Sequence, residues 1–335
     1  MTQTVPGPAA VRRPRRLPEE IGVIVALLVM MTVIGVARPR FINPLNLLTI
    51  LGHTTFLGML AVGMVFLLAI REIDLSVGWM FNFTAVITAL LMAAGVNPWL
   101  AALAGVAFGG VLGLINGILA VGLRLPAIIV TLGTFSMFEG LSLVVNGGRA
   151  VEPPDQTGSY FTLISARMFG IVPVVAIVFV LQAIGLHLAL RRSRFGYRVQ
   201  AVGSNPDAAR LAGIPGALVR LQTLVLMGLI AGLSGAMYVG FRGAIDPQEG
   251  GDFALTVIAA VIIGGTPLSG GGGTVIGAVI GMLIIQVISS GIIFFGIDAT
   301  WSTFVTGAVI VLAVVLDQVV RYQRTRRASR GSDRA

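Results

Sequence analysis

The 335-residue sequence contains no cysteine and no lysine, and only two histidines, His53 and His187. Without cysteine, the chain has no disulfide framework, no thiol nucleophile and no thiolate metal site. The two histidines lie far apart, and the sequence has no paired catalytic carboxylates, no metal-ligand spacing and no Gly-x-Ser-x-Gly elbow. These absences argue against an enzyme and predict neither catalytic residues nor a metal site.

Charged residues are scarce. They make up 11% of the chain, against about 25% in a typical soluble domain, whereas hydrophobic residues make up 56%. A helix that crosses a bilayer needs roughly 20 mostly apolar residues, and such runs recur along the whole sequence. The composition therefore predicts an all-α polytopic membrane protein without a sizeable soluble domain.

The apolar runs predict about ten transmembrane helices. They lie at about 21–37, 45–70, 76–95, 98–122, 126–145, 171–190, 220–240, 253–265, 273–295 and 300–320. The chain then divides into a basic tail at 1–20, a transmembrane domain at 21–320 and a second basic tail at 321–335. Ten crossings place both termini on the same side of the membrane.

The net charge of +9 comes from arginines that cluster at 12–16, 191–198 and 321–330, always beside apolar runs. Arginine-rich loops stay on the cytoplasmic side of a membrane. We therefore expect both termini and the loop at 191–219 to be cytoplasmic. The same distribution favours membrane lipids over nucleic acid as a partner.

The segment 71–78 places three charged residues between two long apolar runs. Ionisable groups at such a depth are costly, and they commonly mark a substrate path or a helix break that lines a cavity. Asp74 and Ser76 are the first candidates for a path lining. Asp74 alternatively caps a helix that starts at Leu75, and Glu72 is expected to pair with Arg71 or with an arginine of another loop.

Two further polar positions are lesser path candidates. Glu139 lies inside the predicted span 126–145 and is expected to face the bundle interior, bonded to Ser136 or Ser142. Ser269 belongs to a glycine-rich run at 264–273, which repeats the Leu-Ser-x-Gly pattern of 75–78. The repeat indicates either an internal duplication, as in many transporters, or a coincidence in glycine-rich sequence.

The same glycine-rich run lacks the Gly-Lys-Ser/Thr ending of a phosphate-binding loop. If ATP drives this protein, another chain must bind it. The simpler interpretation of the run is a tight connection where two backbone segments approach closely.

The loop at 191–219 contains a predicted short helix. Asn205 is its expected N-cap, Pro206 the first helical residue, and Asp207 complements the positive helix end. Gly213 is a natural stop. The apolar side chains of this helix would fill a groove on a cytoplasmic partner or lie on the bilayer surface. These side chains belong to Ala208, Ala209, Leu211 and Ile214.

Several segments resemble the permease subunit of ABC importers for ribose, xylose, arabinose and related small molecules. The resemblance covers roughly 21–320, and Pro267 and Gly272 are small departures from the usual pattern. The matching segments, in order along the chain, are 72–78, 113–117, 125–134, 203–214 and 264–271.

The resemblance implies a pore subunit that works as a homodimer or heterodimer and imports a monosaccharide or similar polyol by alternating access. The helix at 205–214 would dock on a separate ATPase subunit, which would bind ATP and magnesium, so this chain would hold no cofactor. A periplasmic or lipid-anchored binding protein would meet the outer loops. Arg149 and Arg242 are the expected contacts with it, or else contact lipid headgroups.

Other functions remain open from the sequence. An ABC permease for a nucleoside, an amino acid or an autoinducer-like sugar derivative is a close alternative. A proton-coupled secondary transporter would use Glu72, Asp74 or Glu139 as relays and need no ATPase. A membrane-embedded enzyme or assembly scaffold would need polar catalytic groups clustered at one depth, which the sequence does not indicate.

Overall fold

The computed structural model describes residues 20–298, 300, 301, 303–305, 307, 308, 311, 312 and 315. The predicted tails at 1–20 and 321–335 lie outside these residues, apart from Glu20, as does much of the predicted span at 300–320.

The regular secondary structure of the described residues is almost entirely helical, which confirms the all-α class. The helices are α1 Glu20–Ala37, α2 Pro44–Ala69, α3 Val77–Ala93, α4 Pro98–Gly122, α5 Ala127–Asn146, α6 Ser159–Ser165, α7 Val174–Arg192, α8 Arg194–Ser204, α9 Pro206–Leu211, α10 Gly216–Arg242, α11 Phe253–Ile263 and α12 Val275–Phe294. A 3-10 turn at Pro39–Ile42 precedes α2, and an antiparallel hairpin of β1 Arg167–Met168 and β2 Val172–Pro173 precedes α7.

Seven helices in the described part of the chain are long and apolar enough to cross a membrane: α1, α2, α4, α5, α7, α10 and α12. The apolar helices α3 and α11 are shorter. These nine helices coincide with the first nine predicted spans, and the total of about ten stays a prediction. The sequence interpretation missed α6, α8 and β1, whose residues it treated as loop, and it placed β2 inside the predicted span at 171–190.

Three helices begin with the pair Asn-Pro, which explains why their starts are predictable. The side chains of Asn43 and Asn97 accept hydrogen bonds from the backbone N–H groups of Leu45 (2.9 Å) and Trp99 (3.0 Å), and Asn205 does the same at α9. In each case the proline at the first helical position has no N–H to leave unpaired.

The helices α2 and α10 form the centre of the bundle, and α4 packs closely on α10. Added Cβ atoms on Gly109 and Gly228 would overlap the carbonyl oxygen of the facing glycine. Gly113 likewise faces the backbone of Leu224. Small residues therefore let these two helices approach to backbone contact, as is common in membrane bundles.

The bundle has two ends. We call the end with α9, the loop at 264–274 and the end of α2 the α9 end. We call the opposite end, with the β-hairpin and the end of α10, the hairpin end. The chain breaks at 70–76 and 243–252 lie at these two ends. Gly250 of the second break is in backbone contact with Gly78, which lies in the first turn of α3 directly after the first break.

Asn82 fixes the second break against α3. Its side-chain Nδ2 donates to the carbonyl oxygens of Asp246 (2.9 Å) and Glu249 (2.8 Å), and its Oδ1 accepts from the Ser142 hydroxyl (2.6 Å). The amide is buried, and it joins three segments. Asn82 therefore ties α3 to α5 and to the second break.

Replacing Asn82 by leucine leaves two carbonyl groups and one hydroxyl without this partner. A buried polar group that loses its partner costs about 1–3 kcal/mol, so we expect a clear fall in thermal stability in detergent. The matched control is Thr88→Val in the same helix, because the Thr88 hydroxyl bonds only the carbonyl of Thr84. Equal melting temperatures for the two variants would contradict this role for Asn82.

Candidate coupling and translocation sites

The short helix α9 has the predicted construction. The Asn205 Oδ1 accepts from the backbone N–H of Ala208 (3.0 Å), Pro206 opens the helix, and Gly213 follows it with a φ of +76°. Leu211 is 87% exposed, whereas Ala209 is buried. Ala209 and the half-buried Ile214 therefore hold α9 to its own chain. The exposed members of the predicted docking set are Asn205, Pro206, Asp207, Ala208, Leu211 and Gly213.

The end of α8, just before α9, touches both the end of α2 and the glycine-rich loop. An added Cβ on Gly203 would overlap the carbonyl oxygen of Ala69 and lie 2.7 Å from the backbone nitrogen of Gly271. The Gly271 N–H donates to the Ala69 carbonyl (2.9 Å), and the Ser204 hydroxyl donates to the Gly271 carbonyl (3.2 Å). We call Ala69, Gly203, Ser204 and Gly271 the coupling junction.

Arg71 clamps this junction from the first chain break. Its Nε donates to the carbonyl of Gly203 (2.7 Å) and its Nη2 to the carbonyl of Ser204 (2.9 Å). Arg71 has a φ of +67°, a left-handed conformation that is unfavourable for a residue with a Cβ. The two hydrogen bonds compensate for this strain and connect α8 directly to the break at 70–76.

Glu72 pairs with an arginine of another segment and not with Arg71, which was the other expected partner. Its Oε1 lies 2.8 Å from the Nε of Arg220 at the start of α10, and its Oε2 accepts from the backbone N–H of Ala127 at the start of α5 (2.7 Å). Arg220 also donates to the carbonyls of Ala120 and Leu125. This ion pair joins the first break, α4, α5 and α10 at the α9 end.

Asp74 and Ser76 lie fully buried between α3, α4 and α5. The Asp74 Oδ1 accepts from the Ser76 backbone N–H (2.8 Å) and hydroxyl (2.6 Å), and Asn116 donates to the same hydroxyl (2.9 Å). The helix begins at Val77 and not at Leu75. Asp74 thus holds the turn before α3, while its role in a substrate path stays a prediction.

The other two path candidates lie apart from this pair. Glu139 is half-buried on α5, and the Ser142 hydroxyl expected to bond it donates to Asn82 instead. Ser269 is exposed in the loop at the α9 end. The structure therefore brings together only Asp74 and Ser76 among the four candidates.

Arg149 and Arg242 both lie at the hairpin end. The segments that carry them are joined by a pair of backbone hydrogen bonds between Val151 and Ile245, each 3.0 Å. Both arginines are exposed, and the guanidinium of Arg242 lies 6.0 Å from the ring centroid of Tyr238. The hairpin end thus presents two cations from adjoining segments.

An acidic group accompanies these cations. Hydrogen bonds from the Thr157 hydroxyl and backbone N–H hold the pKa of Asp155 below its usual value. This loop therefore keeps its negative charge at neutral pH, and the surface of the hairpin end carries charges of both signs.

Two cavities lie in the half of the bundle nearer the hairpin end. The first, of about 270 Å³, lies between α2, α10, α11 and α12, and its polar lining includes Glu249, Asp252 and Gln286. The second, of about 250 Å³, is lined in part by Arg167 and Arg242. The residues common to both are His53, Phe56 and Tyr238.

Comparison with known proteins identifies the family. Residues 46–314 match the family model of the branched-chain amino acid transport system permease component. The chain belongs to this family. As a permease of this family, the chain is a multi-pass membrane protein that serves transport, and it is not an enzyme.

Three relatives match the chain over most of its length. The ribose import permease protein RbsC of Bacillus subtilis is 35% identical over 300 residues, covering 90% of this chain and 93% of the relative. The L-arabinose ABC transporter permease protein AraH of Azospirillum brasilense is 32% identical and covers 96% of each chain. The D-allose transport system permease protein AlsC of Escherichia coli is 33% identical, and the match covers 90% of this chain and 92% of the relative. No solved structure is significantly similar to the chain.

The sequence interpretation missed the cavity residues. His53, Tyr238 and Gln286 are each a single polar side chain within a long apolar helix, and helix packing explains such residues equally well. Only the fold shows that His53 on α2 and Tyr238 on α10 border the same space. The only signal in the sequence was an isolated polar residue in an apolar helix. The position of that residue in the folded bundle shows that it lines a cavity.

Proposed function

We propose that this chain is the pore subunit of an ABC importer that carries a monosaccharide or similar polyol into the cytoplasm. The similarity to ribose, arabinose and allose permeases over nine-tenths of the chain carries this proposal. A separate ATPase subunit binds ATP and magnesium and drives alternating access, so this chain needs no cofactor of its own.

Contacts at the α9 end support the coupling step. The exposed side chain of Leu211 is available to a cleft on the ATPase, while Ala209 anchors α9 to its own chain. A movement of α9 would be transmitted to the coupling junction, because Gly203 and Ser204 lie only a few residues before α9 in the chain. From there Arg71 leads into the first chain break, and Gly271 leads into the connection between α11 and α12.

The arginines of α7 and α8 support the orientation. Arg191, Arg192, Arg194 and Arg198 all belong to the α9 end, which we assign to the cytoplasm by the excess of cations there. The hairpin end then faces the periplasm of a bacterial inner membrane, and both termini are cytoplasmic.

The remaining partners follow from the same assignment. We expect Arg149 and Arg242 to meet acidic groups of a periplasmic or lipid-anchored sugar-binding protein, since interface charges set register and encounter rate. A second permease subunit, identical or related, completes the pore. Asp74, Ser76, Glu139 and Ser269 are retained as candidate path residues.

The test is uptake of labelled pentoses and hexoses into proteoliposomes that contain this chain, its ATPase and its binding protein. We expect uptake to require ATP. The double variant Asp207→Arg with Leu211→Arg should lose uptake, and the ATPase should no longer co-purify with it. The double variant Asp155→Arg with Phe169→Arg places the same charges at the hairpin end and should retain the ATPase. Uptake that follows a proton gradient and ignores the α9 variant would overturn the proposal in favour of a secondary transporter.

A further inference from the structure

We propose that a groove between α8 and α10 binds an anionic phospholipid of the surrounding membrane, with its head group at Arg194 and Arg198 and an acyl chain along α10. We call this groove, which is lined by the two arginines, Phe195 and one side of α10, the lipid groove. Such a site binds membrane lipid and not the transported solute, so it is independent of the proposed function.

The depth of the lipid groove is apolar. The groove has a volume of about 560 Å³, and Val225 and Leu229 are among the α10 residues that line it. Phe195 lines it from α8, and the ring of Phe195 stacks on the ring of Phe66 in α2 at 5.8 Å between centroids. A hydrocarbon chain suits such a surface, because apolar area then leaves water.

The apolar lining runs along a membrane helix. Leu221 and Leu229 both line the groove, and their positions on α10 are about 12 Å apart along the helix axis. Both residues belong to the predicted span at 220–240, and α10 is long and apolar enough to cross a membrane. The groove therefore extends from the α9 end toward the membrane centre, which is the direction that an acyl chain takes.

The mouth of the lipid groove is cationic. Arg194 and Arg198 lie one turn apart on α8, and both are exposed. Neither α8 nor α10 contains an acidic residue. The two ion pairs in the described part of the chain involve other arginines, so Arg194 and Arg198 have no acidic partner there. An anionic head group would supply that partner.

Contacts with α7 hold α8 at this level. An added Cβ on Gly196 would overlap the carbonyl oxygen of Ala189, and the Gln200 Nε2 donates to the carbonyl of Leu190 (2.8 Å). Tyr197 is exposed beside the two arginines. Helices with basic and aromatic residues on their outer face lie in the interface between membrane and water. The position of α8 therefore places its arginines at the depth of the lipid head groups.

An anionic phospholipid matches both parts of the groove. A soluble anion such as phosphate would pair with the arginines but leave the apolar depth uncovered. A second copy of this chain, docked through the same face, would bring Arg194 and Arg198 against their counterparts, and like charges repel. Basic pockets between membrane helices on the cytoplasmic side bind anionic lipid head groups, which agrees with the orientation proposed for the α9 end.

The test is a lipid titration of the full-length protein, in detergent and with the subunits that co-purify with it, followed by native mass spectrometry. The probes are a short-chain phosphatidylglycerol, the phosphatidylcholine with the same acyl chains, and inorganic phosphate. We expect phosphatidylglycerol to bind about tenfold more tightly than phosphatidylcholine. Phosphate should compete with neither lipid, because it gains nothing from the apolar lining.

The cationic mouth is tested by removing its charge. Arg194→Gln with Arg198→Gln should weaken phosphatidylglycerol binding by about 25-fold, because each arginine near an anionic head group contributes about fivefold in affinity. The matched control is Arg191→Gln with Arg192→Gln, which removes the same charge from the end of α7, outside the groove lining. This control should change the affinity by less than about threefold.

The apolar depth is tested by filling it. Gln222→Trp places a large ring in the groove and keeps both arginines, so phosphatidylglycerol binding should weaken by about fivefold or more. Leu218→Trp, one turn earlier on α10, is the control, because Leu218 is exposed outside the groove lining. This variant should bind the lipid as the wild type does.

Four outcomes would overturn the lipid site. They are equal affinities for the two lipids, equal losses in the two double arginine variants, competition by phosphate at similar concentrations, and no lipid binding because another subunit covers the groove. Uptake that needs no ATP would instead overturn the proposed function, and phosphatidylglycerol binding lost only in the groove variants would still establish the lipid site.

Discussion

Gly203→Ala should reduce ATP-dependent uptake by at least about tenfold. A single methyl group at this position overlaps the carbonyl oxygen of Ala69 and presses on the backbone of Gly271. Overpacking costs about 1–3 kcal/mol even where side chains can yield, and here the neighbouring atoms are backbone. The end of α8 must therefore move away from α2, which separates α9 from the chain breaks.

The matched control is Gly185→Ala. Both glycines lie within helices, but a Cβ on Gly185 in α7 would meet nothing within 4 Å. We expect this variant to transport at the wild-type rate, and measurement of ATPase co-purification shows whether Gly203→Ala still assembles. Wild-type uptake by Gly203→Ala would contradict the close contact at the coupling junction.

Arg220→Met should destabilise the protein by about 3 kcal/mol or more, because breaking a buried ion pair leaves a charge without its partner. Glu72 and Arg220 are each only 18% exposed, and the loss also removes two hydrogen bonds to the carbonyls of Ala120 and Leu125. We expect a lower melting temperature in detergent. Glu72→Gln should cost less, since its amide can still accept from the Ala127 N–H.

The control for this prediction is Arg210→Met on α9. Arg210 also forms an ion pair, with Asp207 at 3.2 Å, but both side chains are largely exposed to solvent. Exposed pairs contribute about 0–1 kcal/mol, so the melting temperature should hardly change. Similar losses in Arg210→Met and Arg220→Met would show that the Glu72–Arg220 pair does not hold the four segments together.

Much of the fold could be predicted from the sequence because its signals are local. Apolar runs of sufficient length marked nine helices, and the pair Asn205-Pro206 marked the start of α9. The construction of α9 was equally predictable, because Asn205, Pro206 and Gly213 all lie within one segment of nine residues. The helix α8 was missed since its amphipathic pattern lies in a charged loop, between two helices with stronger signals.

The rest of the candidate site depends on contacts that are distant in sequence. Gly203 must be a glycine because of Ala69 and Gly271, and nothing near it in the sequence indicates this. The partner of Glu72, which lies in the first chain break, is Arg220, 148 residues further along the chain in α10. Asp74 was a candidate because it is an acid between two apolar runs. The sequence could not distinguish a role in lining a path from its role in holding the turn before α3.

The most direct test of the account is site-specific cross-linking between this chain and its ATPase. Leu211→Cys and Phe169→Cys replace two apolar residues of nearly equal exposure, 87% and 86%, on α9 and on the hairpin turn respectively. With a photoreactive thiol reagent of short reach, we expect Leu211→Cys to cross-link the ATPase in the assembled transporter and Phe169→Cys not to. If Phe169→Cys cross-links the ATPase, or Leu211→Cys does not while the complex stays assembled, α9 is not the coupling helix.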